Sequence, residues 1–348
     1  MQVGVRHGVL AVAVAVAVVA TVTAVELTAD RSSAATTPRA GTIAFVSDGR
    51  LHLARADGTA TSRTVHRVDG YPVWSPDGRR IAFAVRDERR TGMYVVDADG
   101  GNRRLITRGT SYDCIWLAWS PNGRRIAFTR NEGCEGDMRI WIVNADGTGL
   151  RSLLPGYGHS DPAWSPDGRR LLFTSRGSLW LIRPDGSGRR SIAGSRPEGA
   201  DGGPTAPPSL WGPGGRTIYF IGDVAGEESS SAVFVMRADG GGRRRLTTTV
   251  RRIHGFDLSA DGRRIAVSAD FGTTGGPARD IYVLGVGGGR EDNITNGGNN
   301  RDPRWSPDGR RIAFTRDGVI HVIGADGSNL RRVTRGRGSD SAPAWRPS

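Results

Sequence analysis

Short runs in which apolar and polar residues alternate recur along this chain, each bounded by a turn signal. Ile81-Ala82-Phe83, Ile126-Ala127-Phe128, Leu171-Leu172-Phe173, Ile218-Tyr219-Phe220, Ile265-Ala266-Val267 and Ile312-Ala313-Phe314 are successive copies of one run, and Ile43-Ala44-Phe45 is an earlier one. A further run, such as Met93-Tyr94-Val95-Val96 or Ile140-Trp141-Ile142-Val143, closes with Asp-Gly, and a shorter one ends each unit, as in Arg104-Leu105-Ile106-Thr107 and Arg332-Val333-Thr334. Alternation of period two between turn residues predicts β-strands.

A fixed phrase precedes most copies. It reads Trp74-Ser75-Pro76-Asp77-Gly78, then Trp119-Ser120-Pro121-Asn122-Gly123, Trp164-Ser165-Pro166-Asp167-Gly168 and Trp305-Ser306-Pro307-Asp308-Gly309. Weaker copies are Trp211-Gly212-Pro213-Gly214-Gly215 and Leu258-Ser259-Ala260-Asp261-Gly262, and Trp345-Arg346-Pro347-Ser348 ends the chain. The spacings are 45, 45, 47, 47, 47 and 40 residues. Proline presets φ, aspartate bonds its own backbone and glycine accepts the left-handed conformation, so the phrase predicts a tight hairpin between the first and second strands. Ala-Asp-Gly predicts another between the third and fourth.

A four-stranded unit of this size leaves two apolar faces uncovered. Radial stacking covers both and leaves short edges. The prediction is an all-β, seven-bladed β-propeller of four-stranded antiparallel blades over 36–348, with each phrase Trp wedged between neighbouring blades. The segment from Ile43 to Val68 supplies three strands without a first, and Trp345 marks a first strand without partners. Pairing of these N-terminal and C-terminal segments closes the ring.

At these residues the chain resembles the TolB-like (WD40-like) β-propeller repeat family, over about residues 41 to 348. The resemblance implies the fold much more than the function. In TolB itself the propeller has six blades behind a separate α/β domain and scaffolds a periplasmic complex. With seven blades and no such domain expected here, that role is not carried over. The same repeat fronts prolyl-oligopeptidase-type enzymes, but no Gly-x-Ser-x-Gly elbow occurs in this sequence.

Composition changes the picture in two places. The net charge is +13, every basic residue is Arg, and many recur as the pairs Arg79-Arg80, Arg124-Arg125, Arg169-Arg170, Arg263-Arg264 and Arg310-Arg311. These read as solvated turns rather than a nucleic-acid footprint, with attraction to anionic envelope polymers or lipid headgroups as the alternative. Residues 1–35 differ from the rest: Arg6 and His7 precede an uncharged Ala/Val-rich run from Gly8 to Val25. This is a signal peptide or an N-terminal membrane anchor, placing the bulk of the chain outside the cytoplasm. Val22-Thr23-Ala24 and Ser33-Ala34-Ala35 are the two cleavage candidates.

In a propeller the first–second and third–fourth turns share one face, and the remaining loops share the other. Here the turns are uniform. The longest variable segments are Gly194–Ser209, Gly222–Ser231, Asp270–Asp280 and Arg290–Arg301. Variable loops carry recognition. The candidate ligand-binding residues are therefore those leading into the first strands: His159, Asp161, His254, Arg301, Asp302 and Asp340. The bland reading of each Asp is a strand-leading cap. His52 and His321 fall in the third-strand slot of Tyr94, Trp141, Trp180, Phe234 and Tyr282, and read as packing residues. Cys114 and Cys134, the two cysteines, fall on the variable face, and an oxidising compartment predicts a disulfide.

The leading functional expectation is a non-catalytic binding or scaffold protein with a protein or envelope-glycan partner, no nucleic acid, no cofactor, and a membrane tether through the N-terminal segment. The alternative is a metal-assisted propeller lyase or hydrolase using His159, His254 and nearby carboxylates.

Overall fold

A computed structural model describes residues 41–348 apart from 60, 87–90, 110–115, 132–137, 194–208, 225–226, 228–229, 249–250, 271–278 and 336–338; the side chains of 61–66 and of Arg251 are also outside the description. Seven separate four-stranded antiparallel sheets make up the fold. Blade 1 combines Ser341–Trp345 with Thr42–Ser47, Arg50–Arg55 and Thr61–Arg67, so Ile43 lies opposite Trp345 and Ala44 opposite Ala344. Blades 2 to 7 follow in chain order over 69–108, 117–152, 159–193, 209–245, 251–293 and 300–332. The predicted count, strand order and closure all stand.

The first strands are Asp69–Trp74, Leu117–Trp119, His159–Trp164, Ser209–Trp211, Arg251–Leu258, Asn300–Trp305 and Ser341–Trp345. Those of blades 6, 7, 1, 2, 3, 4 and 5 adjoin one another in that order, which makes them the innermost strands around the ring axis. Seven apolar clusters each join two adjacent blades. Within a blade, the second and third strands pair large rings across the ladder. Phe83 faces Tyr94, Phe173 faces Trp180 and Phe220 faces Phe234. His52 stacks on Phe45 at 5.3 Å and His321 on Phe314 at 5.8 Å, as the slot predicts.

Each phrase Trp is a wedge that also bonds. The indole N–H of Trp74 donates to the Ala344 carbonyl, Trp119 to Val73, Trp164 to Ala118, Trp211 to Ala163 and Trp345 to Arg304. The acceptor is always the residue before the preceding blade's Trp. Such bonds contribute about 1 kcal/mol each. Trp305 departs from the rule, because Asp257 occupies that place and takes the Trp305 backbone N–H at 2.7 Å while the indole N–H has no protein partner.

The expectation that the arginine pairs are solvated turns fails for four of the five second members. The guanidinium of Arg80 lies over the ring of Trp119, Arg170 over Trp211, Arg264 over Trp305 and Arg311 over Trp345, at 4.7–5.2 Å. Arg80, Arg170 and Arg264 also donate to the carbonyls of Gly123, Gly215 and Gly309 in the next blade's turn. Arg346 does the same for Gly78 across the closure. A planar guanidinium can stack and donate at once, so these residues staple blade to blade. The first members, Arg79, Arg124, Arg169, Arg263 and Arg310, are exposed as expected, and Arg125 is exposed too.

Candidate functional site

The loop-bearing end of the inner strands is built by a bulge. In blades 4, 7 and 1 the strand slips register ahead of Pro162, Pro303 and Pro343. The residue before each proline takes a positive φ: Asp161 at 58°, Asp302 at 58° and Ala342 at 56°. Aspartate tolerates this conformation better than alanine does. The bulge takes these side chains out of the regular alternation of the ladder.

The same repeat position, three residues before the phrase, holds Tyr71 in blade 2 and Trp116 in blade 3. The two rings stack at 6.1 Å with planes 5° apart. The Tyr71 hydroxyl donates to Asp302 Oδ1 at 3.4 Å, reaching past blade 1. Thr315 of the same blade donates to Asp302 Oδ2 at 3.5 Å. Burial pushes the Asp302 carboxyl up to about 6 against the opposing pull of Arg304 and Arg301. Burial likewise pushes the Tyr71 phenol well above its ordinary range, reinforced by the Asp302 charge. Asp257, one layer deeper, is also pushed up by burial, countered by Arg304.

The other sequence candidates hold separate positions. His159 is buried, with Nδ1 2.9 Å from Ser175 Oγ, Nε2 3.4 Å from the Pro155 carbonyl, and its ring edge-on to Phe173. Burial lowers its pKa, so it stays neutral near pH 7. Asp161 accepts from Ser160 Oγ, and its N–H donates to Thr129 in blade 3. His254 Nε2 lies 3.0 Å from Asp270, which also meets Arg279 at 3.6 Å; burial lowers the histidine pKa although Asp270 opposes it. Asp340 accepts from Thr334 Oγ1. The structure thus joins Asp302 to Tyr71 and through it to Trp116, with Arg301 acting on Asp302 by its charge, and keeps His159, Asp161, His254 and Asp340 in local contacts. Among the described residues no three His, Cys, Asp or Glu side chains are grouped as a metal would require.

Sequence reasoning missed Tyr71, Trp116 and Asp257. Their signal was available as repeat positions: three residues before the phrase for the first two, one before for the third, where Val73, Ala118, Ala163 and Leu210 stand elsewhere. An exposed Tyr157 lies at the same end under the Arg139 guanidinium, 4.2 Å away. Cys114 and Cys134 lie outside the described residues, as do most of 194–209 and 271–278.

The family described as TolB beta propeller domain matches residues 50–187 and 178–348. The chain belongs to this TolB-type propeller family. Among curated proteins, the Tol-Pal system protein TolB of Hahella chejuensis is 37% identical over 60 residues, 17% of this chain and 14% of that protein. That of Thioalkalivibrio sulfidiphilus is 44% identical over 59 residues, 16% of this chain and 13% of its own length. The matches therefore span a small part of either relative. Among solved structures, TolB from Acinetobacter baumannii superposes with a TM-score of 0.59 at 18% identity, over 86% of this chain and 79% of its own. Oligogalacturonate lyase from Vibrio parahaemolyticus gives 0.59 at 14% identity, over 78% and 82%. At such identities the TolB-type propeller shares with these structures its fold.

Proposed function

We propose that this TolB-type propeller is a non-catalytic binding module outside the cytoplasm, recognising a protein partner with its loop-bearing face. The observation that carries the reading is the cluster of Asp302, Tyr71 and Trp116 at the loop end of the inner strands. Stacked aromatics beside a carboxylate, in the charge field of Arg301, supply the side-chain types that anchor protein partners. Tyr157 under Arg139 extends the same chemistry outward. The relatives' name, Tol-Pal system protein, supports work within an assembly. The basic start and the apolar run from Gly8 to Val25 support export, with residues 1–35 cleaved or kept as an anchor.

A photo-crosslinking residue at Trp116 tests the partner, with one at Asp185, on the turn face, as the control. In intact cells the first should yield a discrete protein adduct that Tyr71→Ala abolishes, and the second none. Adducts of equal pattern from both sites, or none from Trp116, would remove the proposal. Protease accessibility in spheroplasts checks the compartment.

A further inference from the structure

The opposite face of the ring is rich in arginine, in excess over the exposed aspartates 99, 146, 185, 239 and 326 of its third–fourth turns, and its chemistry is unused by the partner-binding reading. Its hairpins are uniform. The N–H of Gly78, Gly123, Gly168, Gly215, Gly262 and Gly309 each bonds the carbonyl three residues back at 2.8 Å. No blade projects a longer first–second turn than another. Every such turn carries net positive charge, because one Asp faces two arginines in blades 2, 4, 6 and 7, while blade 3 has Asn122 and blade 5 no acid at all. The turn aspartates are consumed locally: Asp167 accepts from Ser165 Oγ and the Arg169 N–H, which hold its carboxyl below the usual range. The exposed arginines 79, 124, 169, 216, 263 and 310 recur around the ring.

The starts of the fourth strands lie at this face and add apolar points among the arginines. Leu150 precedes Arg151 and Leu330 precedes Arg331, and both leucines are exposed, at 39% and 47%. Chain direction supplies the last element. Thr42 occupies the position that Arg80 holds in blade 2, so the chain enters the ring at Gly41 on the turn face.

We infer that the turn face docks on an anionic lipid bilayer. Exposed guanidinium groups recurring around the ring, with exposed leucines among them, match an array of phosphate headgroups. The orientation leaves the Asp302, Tyr71 and Trp116 cluster of the opposite face pointing away from the membrane, open to a partner.

The test uses the full chain with vesicles of phosphatidylcholine, with or without phosphatidylglycerol. A variant carrying Arg124→Gln, Arg169→Gln, Arg263→Gln and Arg310→Gln removes four turn-face charges. Its control carries Arg108→Gln, Arg176→Gln, Arg252→Gln and Arg335→Gln on the loop side. Each surface arginine contributes about fivefold to anionic-vesicle affinity. The first variant should therefore lose roughly a hundredfold or more of the phosphatidylglycerol-dependent binding, and the control little. Hydrogen exchange reads the face itself, even where the apolar segment holds the chain to both vesicles. Turns 76–79, 121–124, 166–169, 261–263 and 307–310 should slow on phosphatidylglycerol, and high salt should reverse this. Equal exchange on both vesicles, protection of the loop face, or protection by soluble RNA or heparin but not by vesicles would each overturn the inference.

Discussion

The Tyr71 hydroxyl meets the Asp302 carboxylate at 3.4 Å although blade 1 stands between their blades. Ala342 holds the corresponding position in blade 1, and its short side chain leaves the path open. The pair ties the loop end of blade 2 to that of blade 7, directly beside the closure.

This pair sets a pH dependence. The Asp302 pKa is about 6 in the fold against 3.8 as a reference, so between these values the folded chain binds more protons than the unfolded one. The contribution of Asp302 is then most favourable below about 4 and is lost as pH rises through about 6. Asp302→Asn removes the dependence. Measured by urea unfolding, the variant should gain on the wild type by up to roughly 3 kcal/mol between pH 4 and pH 7. A constant difference across that range would count against burial as the cause.

The arginine staples predict a contrast between two neighbours in sequence logic. Arg264→Ala removes a stack on Trp305 and a bond to Gly309, and should cost about 1–2 kcal/mol. Arg125→Ala, at the same repeat position in blade 3 but exposed, should change stability by less than about 0.5 kcal/mol. Equal losses in thermal denaturation would refute the staple.

Blades 5 and 6 omit the device as a pair. Thr217 stands where the stapling arginine would, and Leu258 where the next blade's Trp would. Thr217→Arg and Leu258→Trp should therefore be unfavourable or neutral singly and couple favourably together, by about 1 kcal/mol or more in a double-mutant cycle. Additive effects would show that arginine and indole do not depend on one another here.

Trp345 fills the closing interface with Ile43 and Val333 and is nearly buried. Trp345→Ala should destabilise the whole ring by about 3–5 kcal/mol. Calorimetry should show one lowered transition, since a ring without its closure loses both faces of blade 1. A separate early transition confined to blade 1 would mean the blades unfold independently.

The ring was legible because its repeat is written in residues with few alternatives. Ser-Pro-Asp-Gly fixes a hairpin and Ile-Ala-Phe fixes the strand after it, and the missing first strand near Ile43 announces its supplier at Trp345. The packing roles of His52 and His321 were legible by slot. The site was much less so. A bulge before proline is set by tertiary context, and nothing local reveals that Asp302 meets Tyr71 of another blade. Tyr71 and Trp116 carry no motif of their own, and the meeting of Tyr71 with Asp302 crosses blade 1, where Ala342 is far away in sequence from Tyr71. The arginine pairs misled for a related reason: of two identical neighbours, Arg79 stands in the turn and faces water, while Arg80 opens the strand and meets a partner blade.

Closure has a temporal side. Ile43 leaves the ribosome about 300 residues before Trp345, its strand neighbour. Blades 2 to 7 can pair their strands as they are synthesised, but blade 1 waits for the final few residues. Until then the chain has an unsealed gap and stays threadable. The chain can thus stay open until its synthesis is complete, and any ribosome that stops short of Trp345 releases a product that cannot lock.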